Sequence, residues 1–178
     1  MITKTEAISF LQEHQPMPKD NELSDVIINK YDEVRDFFIN NPDNQCIPLF
    51  LNSFGGKNGL GVYQMIEFVI TMYDKKEVLP HVLNALHSPY DSVRYWAAQI
   101  ASNYPDETLV ESLCNLLSEE DDDIKAATIT ALAQLALNNI SVNMVIEVLE
   151  DEIKKITDEE IKEFAKEVLE DVRVSCKS

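Results

Sequence analysis

Glycine is scarce in this chain: there are four among 178 residues, all between Gly55 and Gly61. Tight hairpins depend on residues that accept positive φ, so glycines confined to one segment argue against an all-β architecture. The runs of alternating hydrophobicity are also too short for strands. Cysteine is sparser still. Cys46, Cys114 and Cys176 are odd in number, far apart and never in a CxxC pair, which excludes a disulfide framework and a cysteine-rich zinc site. Basic residues are few, 15 against 32 acids, giving a formal charge of −17. That balance excludes nucleic acid and an anionic membrane as partners, because both require clustered Lys and Arg. No apolar run approaches the ~18 residues of a spanning helix. The opening MITKTEAISFLQEH lacks the apolar core and cleavage site of a secretory signal. The expectation is a reduced, cytoplasmic protein.

What is present is a globular composition. Hydrophobic residues make up 45% of the chain, too many for a solvated tail. The length suits one domain, able to bury roughly 70% of its unfolded surface.

A repeat organises that hydrophobicity. IPLFLNSF at 47–54, LPHVLNAL at 79–86, VESLCNLL at 110–117 and VNMVIEVL at 142–149 share one apolar register. Their anchors Ile47, Leu79, Val110 and Val142 are 32, 31 and 32 residues apart. Asn52, Asn84 and Asn115 occupy one column, with Glu147 in the fourth copy. A second register lies between these copies. Val62, Met65, Ile66 and Val69 have the i, i+3, i+4, i+7 spacing of one helical face. Val93, Trp96, Ala97 and Ile100 repeat it, as do Ile124, Ala127, Thr128 and Ala131, then Ile161, Phe164, Ala165 and Val168.

The repeating unit is thus a pair of helices of about 31 residues. Thr3 with Glu6, Asp74 with Glu77 and Thr157 with Glu160 have capping-box spacing. Pro42-Asp43 and Pro105-Asp106 suit breaks that lead into a capped helix. Helices over 4–14 and 22–40 are expected at the N-terminus, and one over 158–174 at the C-terminus. The predicted organisation is capping helices in 1–41, helix pairs in 42–157 and a capping helix in 158–178.

The negative charge is concentrated. Residues 95–153 hold 12 acids and a single base, Lys125, a net −11. The densest run, Glu119, Glu120, Asp121, Asp122 and Asp123, falls in a predicted turn. Two readings stay open for it: a solvated face whose acids help start the next helix, or a patch that steers a cationic partner.

Other chemistries find little support. The Gly-Lys of the 55–61 loop lacks the following Ser or Thr and the preceding strand of a phosphate loop, so the segment reads as a flexible turn with positive φ. The acidic run lacks the central glycine and terminal glutamate of a calcium loop. His81 and His87 are six residues apart and do not share a helical face as metal ligands would. Neither a catalytic constellation, a metal nor a cofactor is expected. Trp96 and Tyr90 are expected to pack between helices.

The segment Leu79 to Leu135 resembles the HEAT-like repeats of the phycobilisome-lyase type. One helix of that pattern, V-R-x-x-A-A-x-x-L after an Asp-containing turn, is matched by Asp91, Val93, Arg94, Ala97, Ala98 and Ile100. The other, V-P-x-L-x-x-x-L, is matched by Val78, Leu79, Pro80, Val82 and Leu86. The next copy has Ile124 and Lys125 in place of Val and Arg. The resemblance implies an all-α fold, a right-handed α-solenoid of about four antiparallel helix pairs with helical caps. It implies that the V-P-x-L helices line a concave face, burying Leu79, Val82, Leu83 and Leu86. It also implies a non-enzymatic, monomeric binding module. HEAT-like DNA glycosylases grip duplex DNA with basic grooves, and this chain has the opposite sign.

Small acidic HEAT-like proteins resemble the immunity partners of bacterial toxin systems, including contact-dependent growth inhibition. That resemblance implies a basic partner, a toxin nuclease domain. The contact residues expected from it are Asn84, Glu111, Asn115, Glu119, Glu120, Asp121, Asp122, Asp123, Glu147 and Glu150. The competing expectations are a HEAT-repeat scaffold or adaptor, and a bilin-lyase-like chaperone. An enzyme with a groove-built site is a third.

Overall fold

The computed structural model describes residues 2–119 and 121–176. Among these residues ten α-helices form in order: α1 (Lys4–Glu13), α2 (Asp25–Asn40), α3 (Cys46–Leu51), α4 (Val62–Thr71), α5 (Lys75–Leu86), α6 (Asp91–Ala101), α7 (Val110–Leu116), α8 (Asp122–Leu137), α9 (Val142–Ile153) and α10 (Glu159–Ser175). Short 3₁₀ turns at Gly59–Gly61 and Glu107–Leu109 lead into α4 and α7. No strand occurs among the described residues. The fold is all-α, as the periodicity predicts. The chain forms two compact units, Met1–Ala97 and Ala98–Ser178, divided within α6.

In the first unit α1 packs on α2 and α3, α2 on α4, and α3 on α4 and α5. Its core is aromatic. Phe50 meets Tyr31 at 6.0 Å and Phe38 at 5.7 Å, edge-on. Phe54 stacks on Trp96 at 5.1 Å and meets Tyr63 edge-on at 5.2 Å. These offset and perpendicular contacts suit the ring quadrupoles. The buried hydroxyl of Tyr31 is satisfied. Tyr31 Oη donates to Ser53 Oγ, which donates to the Phe50 carbonyl at 2.7 Å.

The second unit has a different core. α8 packs against α7, α9 and α10, and α10 also packs on α9. The buried residues are mostly aliphatic or alanine, among them Leu113, Leu116, Ile124, Ala127, Leu132, Leu135, Val145, Leu149, Ala165 and Leu169. Small residues along α8 let neighbouring helices approach closely, and Thr128 buries its hydroxyl by donating to the Ile124 carbonyl at 2.7 Å.

Several local expectations are corrected. Met65 and Tyr90 are exposed; on α4 the buried residues are Val62, Tyr63, Ile66, Val69 and Ile70, a stripe turned toward Tyr63 and Ile70 that leaves Met65 outside it. On α5 the buried set is Val78, Val82, Ala85 and Leu86, with Leu79 and Leu83 only half-buried at its edge. The Thr3–Glu6 capping box forms, but the other two do not. Asp74 makes no side-chain cap bond, and Glu77 instead accepts from Asn44 Nδ2 at 3.2 Å. At α10 the cap is Asp158, accepting from the backbone N–H of Glu160 and Ile161 at 2.9 and 3.0 Å, rather than Thr157.

The glycine loop is pinned rather than flexible. Asp20 accepts from the N–H groups of Asn58 and Gly59 at 3.1 and 2.8 Å, and Trp96 Nε1 donates to the Gly56 carbonyl at 3.2 Å. Gly59 holds φ at 56°. At Gly55 the need is space, since a Cβ there would stand 1.9 Å from the Met17 carbonyl oxygen. Gly55→Ala is expected to lower stability by about 2–3 kcal/mol, as for extra atoms forced into a packed site. The urea midpoint measures this; an unchanged midpoint would show that the 17–20 strap is free to move aside.

Candidate functional site

The lone base of residues 95–153 lies inside the second unit. Lys125 sits in the first turns of α8, and its Nζ lies 2.8 Å from Glu152 Oε1 on α9. Both side chains are nearly covered, 13% and 8% exposed, and Lys155 reaches the second oxygen of Glu152 at 3.3 Å. Lys125 stands in the column that Arg94 occupies in α6. Arg94 donates to the Ser88 carbonyl beyond the end of α5 and to Asp91, both at 2.7 Å. Lys125 Nζ is likewise 3.5 Å from the Leu117 carbonyl at the end of α7. A cation in this column meets the carbonyl-rich end of the preceding helix, where the dipole favours it. The requirement is structural, and it takes the single base of the segment off the surface.

The acids divide into distinct groups. Glu111 and Asn115 lie one turn apart on α7 and are exposed. At the α7–α8 turn Asp121 is a helix cap, accepting from the backbone N–H of Asp123 and Ile124 at 3.0 Å each. Asp122 and Asp123 are exposed in the first turn of α8, and Glu119 is half-exposed. The helix-starting role expected of this run is therefore present at Asp121; a capping role leaves Asp122 and Asp123 facing water. Glu120 lies outside the described residues. On α9 Glu147 is exposed, whereas Glu150 is ion-paired with Arg173 of α10. Asn84 is exposed on α5, in the first unit.

Of these residues, Glu111 and Asn115 share a concave feature. With Glu107, Val110 and Cys114 they form one side of a groove of about 420 Å³, whose other side is Ser141 and Met144 at the start of α9. Glu147, Glu150 and the Glu119–Asp123 run do not line it. Sequence reasoning missed Glu107, Cys114 and Met144. The signal that could have found Glu107 is the repeat itself, because it stands three residues before the anchor Val110, as Asn44 does before Ile47.

Asn44, Gln45, Ile47, Pro48, Lys76, Glu77, Pro80 and His81 line the matching groove of the first unit, about 450 Å³, between α3 and α5. Among the described residues no group of three or more His, Cys, Asp or Glu is placed to hold a metal ion. The three cysteines are free. Burial pushes the Cys46 thiol up to about 11 and raises that of Cys114, so neither is an activated nucleophile. No described helix is long and apolar enough to cross a membrane.

The sequence family described as HEAT repeats matches residues 79–170, from α5 into α10 and just over half of the chain. No curated relative and no solved structure matches the chain.

Lys125→Met strands the Glu152 carboxylate in the second unit. The expected cost is about 2 kcal/mol, below the full penalty for an orphaned buried charge because Lys155 remains beside it. Adding Glu152→Leu should recover most of that loss in chemical denaturation. Equal losses in the single and double variants would mean that the methylenes of Lys125, rather than its charge, hold α8 to α9.

Proposed function

Because the chain belongs to the HEAT-repeat family, whose stacked helix pairs serve as protein-interaction scaffolds and are generally non-catalytic, we propose that it binds a basic partner protein through its acidic second unit. The observation that carries this reading is the placement of Lys125. With that base drawn into the interior by Glu152, the exposed acids of α7, the α7–α8 turn and α9 lie on a segment with no other Lys or Arg between residues 95 and 153. A field of one sign raises the rate at which a cationic partner arrives and disfavours acidic ones.

The finer reading is an immunity protein that neutralises a toxin nuclease domain in the bacterial cytoplasm. A nuclease must hold a phosphate chain with positive charge, so a row of carboxylates competes for the same surface. The carboxylates proposed for that contact are Glu111, the Glu119–Asp123 run, in which Asp121 also caps α8, Glu147, and Glu150, which would exchange Arg173 for the toxin; Asn115 and Asn84 are amide positions of the same column. The chain acts by occupying the toxin's cationic site and carries out no chemistry of its own.

Two measurements test these levels separately. Reversing Glu119, Asp122 and Asp123 to Lys, with the capping Asp121 retained, should slow association with the basic partner by about tenfold or more at low salt and flatten its salt dependence. An unchanged on-rate would reject electrostatic steering by this turn. Co-expression with the product of the neighbouring gene should rescue growth from that product's toxicity. A neighbour that is harmless alone, or a toxic one that is neither bound nor neutralised, would reject the immunity role while leaving a scaffold that binds another basic protein.

A further inference from the structure

The two grooves are equivalent places in the repeat. Asn44, Ile47, Pro48 and His81 of the first correspond, 63 residues on, to Glu107, Val110, Glu111 and Met144 of the second. Equivalent positions of the repeat have been given different chemistry. In the first groove Asn44 donates to Glu77 at 3.2 Å, Lys76 stands beside that carboxylate, and Pro48 and Pro80 supply stiff, uncharged walls. Two of its polar groups, Asn44 and Glu77, answer one another.

In the second groove they do not. A glutamate replaces the asparagine and another replaces the first proline. Glu107 and Glu111 are exposed and make no ion pair or side-chain hydrogen bond among the described residues. Below them the lining is apolar: Val110 and Cys114, the latter kept as a neutral thiol by burial, face Met144. Met144 is 52% exposed at the start of α9, and a methionine adapts its shape to whatever lies on it. Asn115 adds an amide at the edge.

An apolar trough with two carboxylates along one wall fits a side chain with an apolar stem and a cationic end. Two carboxylates one helical turn apart present acceptors to more than one N–H, which suits the planar fork of a guanidinium better than the point charge of an ammonium. We propose that the α7–α9 groove is the anchor site for an arginine side chain of the basic partner. Its stem lies on Val110 and Met144, and its guanidinium is held between Glu107 and Glu111. This rests on the reading of the chain as a binder of a basic protein and names where that binding is focused. The exposed acids of the α7–α8 turn then steer the approach, and the groove holds the contact.

The test uses the full chain labelled with ¹³C-methyl methionine, so that the five methionines report separately, and octa-arginine as the probe. Octa-arginine should bind and shift the Met144 methyl selectively. Octa-citrulline, the same shape without charge, should bind far more weakly. Glu107→Gln and Glu111→Gln should each weaken binding about fivefold, the upper end for a partly exposed ion pair. The paired Asp122→Asn and Asp123→Asn variant should change it by less than about twofold at physiological salt, where such charges are screened. Binding that leaves Met144 unmoved, or that is lost with Asp122 and Asp123 instead, overturns the groove while the basic-partner reading stands. Absence of binding, or equal binding of the citrulline peptide, overturns both.

Discussion

A helix with one apolar stripe cannot hide that stripe alone, and a pair of such helices still leaves one side of each uncovered. This constraint underlies the rest of the protein. It explains why apolar anchors return every 31 or 32 residues, and why α8 packs against α7, α9 and α10. It also explains why the helices at the two ends are amphipathic. α10 buries Ala165, Leu169 and Val172 and turns Glu163, Lys166, Glu167 and Glu170 outward. Burial on one side forces the turns and the opposite edges of the helices to carry whatever polarity the chain has.

That polarity is where the two units diverge. The first stabilises itself with a cluster of rings and with a glycine loop tied to Asp20. The second packs aliphatic side chains and alanines, and uses its one early base as a buried partner for Glu152. A buried ion pair is a doubtful source of stability, but removing one member is costly. Its consequence for the surface is clearer. Lys125 meets the end of α7 and a carboxylate of α9, so the exposed acids around it have no other cation in sequence between Arg94 and Lys154. The same packing sets Glu107 and Glu111 on the wall of a groove floored by apolar side chains.

Much of this was legible in the residues and some was not. The helix pairs, the Thr3–Glu6 cap and the burial of Trp96 followed from spacing. The rotation of α5 did not, because Val78 and Leu79 are both apolar and either could lead the buried face; packing chose Val78, Val82 and Ala85. Asp74 with Glu77 has the right spacing for a capping box, yet Asn44, thirty-three residues from Glu77, reaches that carboxylate. A local rule loses when a distant donor comes within range. Of the expected contact residues, Glu111 and Asn115 share a groove, Asp121 proves to be a helix cap and Glu150 an ion-pair partner of Arg173. The run of acids stood out in the sequence by density, whereas Glu107 and Met144 did not stand out at all.

The sequence by itself determined the helical period, the all-α class and the concentration of negative charge, because each is a property of residue order and composition along one line. Which acids face solvent, which ones cap or pair, and which two line one wall of an apolar trough were decided only by the tertiary structure. Those distinctions depend on where α7, α8 and α9 bring residues far apart in the chain to within a few ångströms. Two carboxylates of equal charge differ only in what surrounds them, and Glu152 and Glu111 are separated in role by that alone.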